Sequence, residues 1–384
     1  MGRYSYASNI TAIRDAFQVS HADAGLVTTC FFFSYGAGQI TNGILCRHYN
    51  KRYVIAAALV LSSVLNAAVF CDVPFACMKY LWLLNGAIQS VLWSSLIGIL
   101  SETLESKDFA KAAVIMSITV PVGIFLVYGL SALLAVWGGW RYSFLGSAVI
   151  MTAVAVLWFA MYKRAFGRRE KSCGREKTCK VQCKASRFLI LMIIVMGILA
   201  AISNLVKDGL TKWVPSILKE KFGLHDSLSI LLTLVLPLFG VFGAACDTIM
   251  NRKIKSFIMI SGIWYLFTAA GIGVVMLFFK TDLWGVVLIL FGCLSLFMHA
   301  VNSLVTSIAP MYMRDQIDSG LLAGLMNGCC YVGSTISSYV LGSVADAFGW
   351  NSVFGMLLLA SCCAFILSAG FAFARRRRGK CNVI

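Results

Sequence analysis

Apolar runs of about twenty residues recur along this chain, each closed by a short polar segment. They lie near 24–45, 53–71, 78–101, 110–136, 141–162, 188–213, 228–250, 256–279, 283–308, 319–345 and 351–374. A run of about 18 residues or more is long enough, as a helix, to cross the hydrocarbon core of a bilayer. A lone strand there would leave its backbone groups unpaired, so each run is predicted to be a helix. The opening differs. From Met1 to Phe17 the residues Arg3, Tyr4, Tyr6 and Asn9 come in quick succession, followed by a polar turn from Arg14-Asp15 to Asp23. This stretch reads as the end of a helix. The predicted fold class is an all-α membrane protein with eleven full transmembrane helices and one partial one.

Composition agrees with the pattern. Over 384 residues the chain is 59% hydrophobic and 13% charged, with mean hydropathy +0.83, more apolar than one soluble core can accommodate. The formal charge of +17 raises nucleic acid as a partner, and the placement of the charges removes it. Twenty-four of the 33 Lys and Arg residues fall in alternate segments, around 46–52, 107–111, 163–187, 252–255, 314 and 375–380; seven (Arg14, Lys79, Arg141, Lys212, Lys219, Lys221 and Lys280) fall in the opposite set. By the positive-inside rule the basic loop and the Arg375–Arg378 tail are cytoplasmic, and the protein is expected in the cell (inner) membrane with its C-terminus inside. Two cations, Arg3 and Lys207, remain within the membrane, where a charge is costly and points to a functional site. Most of the 14 cysteines read as small apolar fillers. Cys71 and Cys77 flank a short exterior loop, where a disulfide is one option, and Cys173, Cys179 and Cys183 lack zinc-like spacing.

The chain also repeats itself. At a shift of 210 residues Asp108 meets Asp318, Ala113 meets Ala323, Met116 meets Met326, Val122-Gly123 meets Val332-Gly333, and Gly139-Trp140 meets Gly349-Trp350. The expected organisation is a first bundle (1–163), a basic loop (164–187), a second bundle (188–374) and a tail (375–384). Two parallel six-helix repeats joined by a basic loop resemble the layout of major facilitator transporters, whose substrate site lies between the halves. With one insertion, the repeat pairs the segment from Arg3 to Phe17 with that from Lys207 to Phe222. Arg3 is then the counterpart of Lys207, and a full first span would need roughly 17–20 residues before Arg3. A missing start is expected: an upstream initiation site, a fragment or a degenerate gene.

Three segments carry a more specific resemblance: Arg3-Tyr-Ser-Tyr-Ala7; the run from Lys207-Asp-Gly through Trp213-Val-Pro215 to Lys219-Glu220; and Gly328 to Gly333 with Phe348-Gly349-Trp350. Through them nearly the whole chain resembles the organophosphate:phosphate antiporters, the branch that holds glycerol-3-phosphate and hexose-phosphate transporters. The resemblance implies that two cations facing each other across the cavity bind the phosphate, and by position these are Arg3 and Lys207. Independently of the family, two cations in a low-dielectric cleft repel each other, and a bound anion relieves that repulsion. Arg grips an oxyanion with a planar fork, whereas Lys offers a point charge. The chain departs from the family at Gln39, where a Lys stands, and at Val120-Pro121, where a His stands. These departures, with Lys at 207, leave the anion's chemistry open between a phosphate and a carboxylate.

The remaining candidate substrate-binding residues are Gln39, Tyr6, Gln89, His299, Asn302 and Tyr331. Polar residues at such depth serve either as ligands or as interhelical hydrogen-bond partners, and His299 is also able to carry a proton. The facilitator loop signature survives in part as Gly243-Ala-Ala-Cys-Asp247 with Arg252, giving candidate gating residues Asp247 and Arg252. No phosphate loop, catalytic triad or metal-ligand cluster is visible, so neither an enzyme nor a cofactor or metal is expected. The expected function is rocker-switch secondary transport of a small organic anion, with a sugar phosphate or glycerol phosphate exchanged for phosphate as the family's implication. Proton-coupled symport of an organic acid and a transporter-like membrane sensor are the alternatives. The expected partners are the anion, phosphate or a proton as coupling ion, and the lipid bilayer, around a monomer.

Overall fold

The computed structural model describes residues 2–45, 49–103, 106–166, 187–254, 256–313, 317 and 319–377. The basic loop's cysteines, the last residues of the tail and the side chain of Arg252 lie outside the described residues. Before the loop come α1 (Tyr4–Ser8), α2 (Ile10–Phe17), α3 (His21–Leu45), α4 (Lys51–Phe70), α5 (Phe75–Thr103), α6 (Ser106–Gly138) and α7 (Trp140–Phe166). After it come α8 (Arg187–Phe222), α9 (Asp226–Leu232), α10 (Val235–Lys253), α11 (Phe257–Phe278), α12 (Trp284–Ser303), a π turn (Leu304–Ile308), α13 (Ala309–Tyr312), α14 (Ser319–Phe348) and α15 (Trp350–Arg377). The regular structure of the described residues is entirely helical.

Interruptions at Asn9, at Thr233-Leu234 and at the π turn divide the opening stretch and two of the expected runs, so helical segments among the described residues outnumber the predicted spans. Pro237 accounts for one of these breaks: without an N–H it cannot bond the carbonyl of Thr233, and the helix restarts at Val235. Seven helices among the described residues are long and apolar enough to cross a membrane by length and composition. Their outward faces carry large apolar side chains such as Leu61, Val64, Val156, Leu277 and Ile366. In water such a surface would associate; against lipid tails it matches its solvent.

The predicted end of the run at residue 213 is corrected by α8, which continues through Pro215 to Phe222. At 36 residues it is about 54 Å long, well beyond the hydrocarbon thickness. Pro215 leaves the carbonyl of Thr211 without its helical donor. Tyr128 on α6 supplies the replacement, its hydroxyl donating to the Thr211 oxygen at 2.9 Å. The helix therefore keeps its direction, and one helix of the first group is fastened to one of the second.

Equivalent pairs pack in the two groups: α3 on α5 and α10 on α12, α4 on α7 and α11 on α15. The turns repeat as well. Gly139 and Gly349, 210 residues apart, both take positive φ (86° and 77°) before Trp140 and Trp350, a conformation glycine adopts without the Cβ clash. Between the groups, α3 lies along α14, α6 meets α9 and α10, and α2 meets α8. Gly25 lets α3 approach α14 closely: a Cβ there would fall 2.0 Å from the carbonyl oxygen of Ser338. The candidate cations Arg3 and Lys207 lie where α1 and α3 face α8 and α14.

Candidate functional site

Arg3 stands at the start of α1, with one guanidinium nitrogen donating to the Tyr4 hydroxyl at 2.9 Å and another to the Tyr331 hydroxyl of α14 at 3.2 Å. Its planar charge also lies 4.6 Å from the centre of the Tyr4 ring, within cation–π range. Opposite it, α8 presents Lys207, Asp208 and Lys212. Lys207 Nζ pairs with Asp208 Oδ1 at 3.6 Å, and the other Asp208 oxygen accepts the Ser334 hydroxyl of α14. Lys212 donates to the Ser334 carbonyl and the Ser337 hydroxyl, both at 3.2 Å, and to the Ser338 hydroxyl. Its ammonium also sits 4.5 Å from the centre of the Phe32 ring on α3.

Lys212 was expected among the exterior charges, and its position is a correction. Ten further helical residues follow it, about 15 Å, and its side chain is 2% exposed. With Arg3, Lys207, Lys212 and Asp208 all ionised the cluster carries a formal surplus of two positive charges, and each cation is within Coulombic reach of Asp208. The cavity that Arg3, Asp208 and Lys212 line with Tyr4 and Phe32 has a volume of about 10 Å³, roughly one water, whereas small-molecule sites span about 300–1,000 Å³. The helices must part to admit an organic anion.

The other sequence-derived residues divide into those near this cluster and those apart from it. Tyr331 bonds Arg3 directly and packs on Tyr35, ring centres 4.6 Å apart. Gln39 is one step further out, sharing a hydrogen bond with Tyr35 and donating to the Ser90 carbonyl on α5 at 3.0 Å. Asn302 joins through a relay: its amide donates to Asn204 at 2.8 Å, and Asn204 donates to Ser334 at 3.3 Å. His299 contacts the Ser295 carbonyl at 2.9 Å and lies within Coulombic reach of Lys207. Tyr6 is fully buried, donates to the Ala24 carbonyl and packs on Trp82; Tyr4, its neighbour but one, is the tyrosine at the cation. Gln89 donates to Ser62 and Asn85 in a separate polar knot inside the first group. Asp247 is buried and accepts from Trp264 Nε1 and the Ser303 hydroxyl, both at 2.8 Å. Cys71 and Cys77 are both free thiols.

Sequence reasoning missed Tyr4, Asp208, Lys212 and Ser334 as site residues. Two signals were present: Asp208 and Lys212 stand at i and i+4 on one helical face, and Ser334, Ser337 and Ser338 form a hydroxyl stripe at helical spacing on α14.

A second charged network ties the same helices together near their ends. Arg14 and His21 converge on Glu220, which also accepts the Trp350 indole N–H at 2.9 Å. His21 Nδ1 lies 2.5 Å from Asp346, and Lys219 bridges Asp15 at 2.5 Å and Asp226 at 2.8 Å. Burial acts to raise the Asp15 carboxyl, but hydrogen bonds from Lys219 and Arg14 outweigh it and hold Asp15 below its ordinary value. Residues of the first group (Arg14, Asp15, His21) and of the second (Lys219, Glu220, Asp346, Trp350) thereby close this end over the cavity.

A helical membrane fold of two matching groups, with surplus cations enclosed between them, has the construction of a solute carrier. The chain belongs to the Major Facilitator Superfamily, which its residues 1–317 match. It is 21% identical over 377 residues to a probable hexose phosphate transport protein of Chlamydia pneumoniae, covering 90% of this chain and 82% of that one. It is likewise 21% identical over 399 residues to the glycerol-3-phosphate transporter of Bacillus subtilis, covering 94% and 86%. Among solved structures it is similar to a bacterial homolog of the human lysosomal transporter Spinster, with TM-score 0.76, 15% identity and coverage of 98% and 93%. The relatives are consistent with the organophosphate:phosphate antiporter family, and the superfamily is one of membrane transporters, not enzymes.

Proposed function

We propose that this chain is a secondary transporter of a small organic anion, a sugar phosphate or glycerol phosphate, exchanged for inorganic phosphate. Residues 1–163 and 188–374 act as two helical bundles that rock about Arg3 on one side and Lys207 with Lys212 on the other. The observation that carries this reading is the enclosure of Arg3, Lys207 and Lys212 between the halves around a single carboxylate, Asp208; with all four ionised, the surplus of two positive charges complements a phosphate dianion. Arg3 offers the fork for an oxyanion, while Lys207 and Lys212 supply point charges from the other half. An anion contacting both halves stabilises the arrangement in which they close on it, which is the differential interaction that alternating access needs. The names of the relatives support a phosphorylated solute. Lys and Arg placement supports an orientation with the 164–187 loop and the C-terminus in the cytoplasm, and the chain is read as a monomer of the inner membrane.

The test is uptake of labelled glycerol 3-phosphate and hexose 6-phosphate by proteoliposomes loaded with inorganic phosphate. Lys207→Gln is expected to lower uptake by about a hundredfold, as loss of a charge-assisted contact to a buried anion does, with the protein still monodisperse. Undiminished uptake by that variant would sink the central-site reading. Proton-coupled symport of an organic acid is the second reading, and uptake driven by a proton gradient without internal phosphate would select it.

A further inference from the structure

The cation cluster contains its own carboxylate. Asp208 is 9% exposed and lies in the wall of the cavity, one oxygen toward Lys207 and the other held by the Ser334 hydroxyl. Arg3 and Lys212 are both within its Coulombic reach as well. The hold on Asp208 is built from two layers. Asn204 donates to Ser334, Asn302 orients Asn204, and the Ser334 backbone carbonyl anchors Lys212. One residue of α14 thus fixes both the carboxylate and the third cation.

We propose that Asp208 is an internal counter-anion that competes with the transported anion for Lys207 and Lys212 and so sets the affinity and charge preference of the site. The inference rests on the anion-site reading above. Three cations enclosed together repel one another, and the lower the local polarisability the larger that repulsion. Asp208 relieves part of it from within. An incoming anion gains only what Asp208 has left unsatisfied, and it meets Asp208 as a like charge. A site with Asp208 ionised has a surplus of two charges and suits a dianion; without that carboxylate the surplus is three. Asp208 therefore weakens binding while holding the cations in place, an arrangement that favours release over capture.

A scaffolding role and a competing role predict opposite signs. Inorganic phosphate is the probe, titrated at neutral pH onto the full chain in detergent, with binding read as quenching of intrinsic tryptophan fluorescence and, separately, as the rise in Tm. Asp208→Asn and the smaller Asp208→Ser are expected to bind phosphate about tenfold more tightly than the parent, the scale on which neutralising one close charge acts. Their Tm is expected to be lower without phosphate and to rise more with it, because ligand linkage grows with affinity. Asp208→Glu should remain within about twofold of the parent, and Lys207→Gln should lose binding. If both neutral variants bind phosphate as weakly as the parent or more weakly, while Lys207→Gln still loses it, the competing role is overturned and the anion site stands. If one neutral variant fails to fold, the other decides. Phosphate binding that survives Lys207→Gln, or no binding by the parent, overturns the anion-site reading and this inference with it.

Discussion

The central cluster and the end network are built on the same helices from the same residue types, yet their charge balance is opposite. At the centre, Arg3, Lys207 and Lys212 face one carboxylate, Asp208. Near the ends, Arg14 and Lys219 face Asp15, Glu220, Asp226 and Asp346, with His21 between two of the acids. The central cations outnumber their one carboxylate, whereas each end cation sits on two carboxylates and the acids there outnumber the cations; Lys219 is also more exposed, at 30% against 14% for Lys207. A surplus enclosed in a low-dielectric space creates a demand for an external anion. A rim in which every cation is already paired makes no demand for an anion and serves to hold two surfaces together, each pair contributing little by itself where water screens it.

The comparison breaks most sharply if removal of one lysine at each level has the same effect. Lys212→Gln is expected to weaken phosphate binding by about tenfold or more, since it lowers the central surplus from two charges to one. Lys219→Gln, one of the paired and partly exposed cations, should leave that affinity within about twofold. Fluorescence titration of both variants checks this directly, and equal losses would erase the distinction between the levels.

A smaller effect is expected from opening the rim. Glu220 joins Arg14 and His21 across the halves and accepts from Trp350 within its own, so Glu220→Gln removes its charge while keeping one acceptor for the indole. A change of about 1 kcal/mol shifts a two-state balance roughly fivefold. A cysteine placed at Thr28, which lines the cavity, in an otherwise cysteine-free chain should then react about fivefold faster with a hydrophilic maleimide. An unchanged rate would show that this network does not close the site.

The smallest effect is a pH dependence of the same labelling. Asp15 has a depressed value in the folded arrangement, so its contribution to closure is complete above the ordinary carboxylate range and is lost as pH falls through its lowered value. Because maleimide reacts with the thiolate, the rate is taken relative to a fully exposed cysteine at the same pH. This relative labelling of Thr28→Cys should rise by less than about threefold on acidification from neutrality to below roughly pH 4, and Asp15→Asn should flatten that rise. A rise unaltered by Asp15→Asn would assign it to other carboxylates of the rim.

Much of the molecule was legible in one dimension. The apolar runs, the Gly-Trp repeat at 210 residues and the isolation of Arg3 and Lys207 from the loop charges all follow from spacing along the chain, because a helix in lipid must satisfy its own backbone and cannot cheaply carry a charge. Those properties fixed a helical membrane protein and named two of the central cations. They misplaced Lys212, because the run was taken to stop at residue 213 before Pro215. Only tertiary structure shows that Tyr128 supplies the donor Pro215 lacks, so that α8 runs on and Lys212 lies in the interior.

Contacts between distant segments were likewise out of reach. The choice of Tyr4 over Tyr6 at the cation, the attachment of Gln39 through Tyr35, and the separation of Gln89 into its own polar knot depend on how α1, α3 and α5 turn against one another. Asp208 read as a neighbour that neutralises Lys207, and the pair is present. That Ser334 holds the carboxylate and Lys212 at once is set by the packing of α14 on α8, 126 residues away along the chain from Asp208. Sequence alone determined that cations enter the membrane, since that cost is local to a helix. The tertiary fold decided which groups surround them and how much charge is left over, since the balance is a sum over helices that only packing brings together.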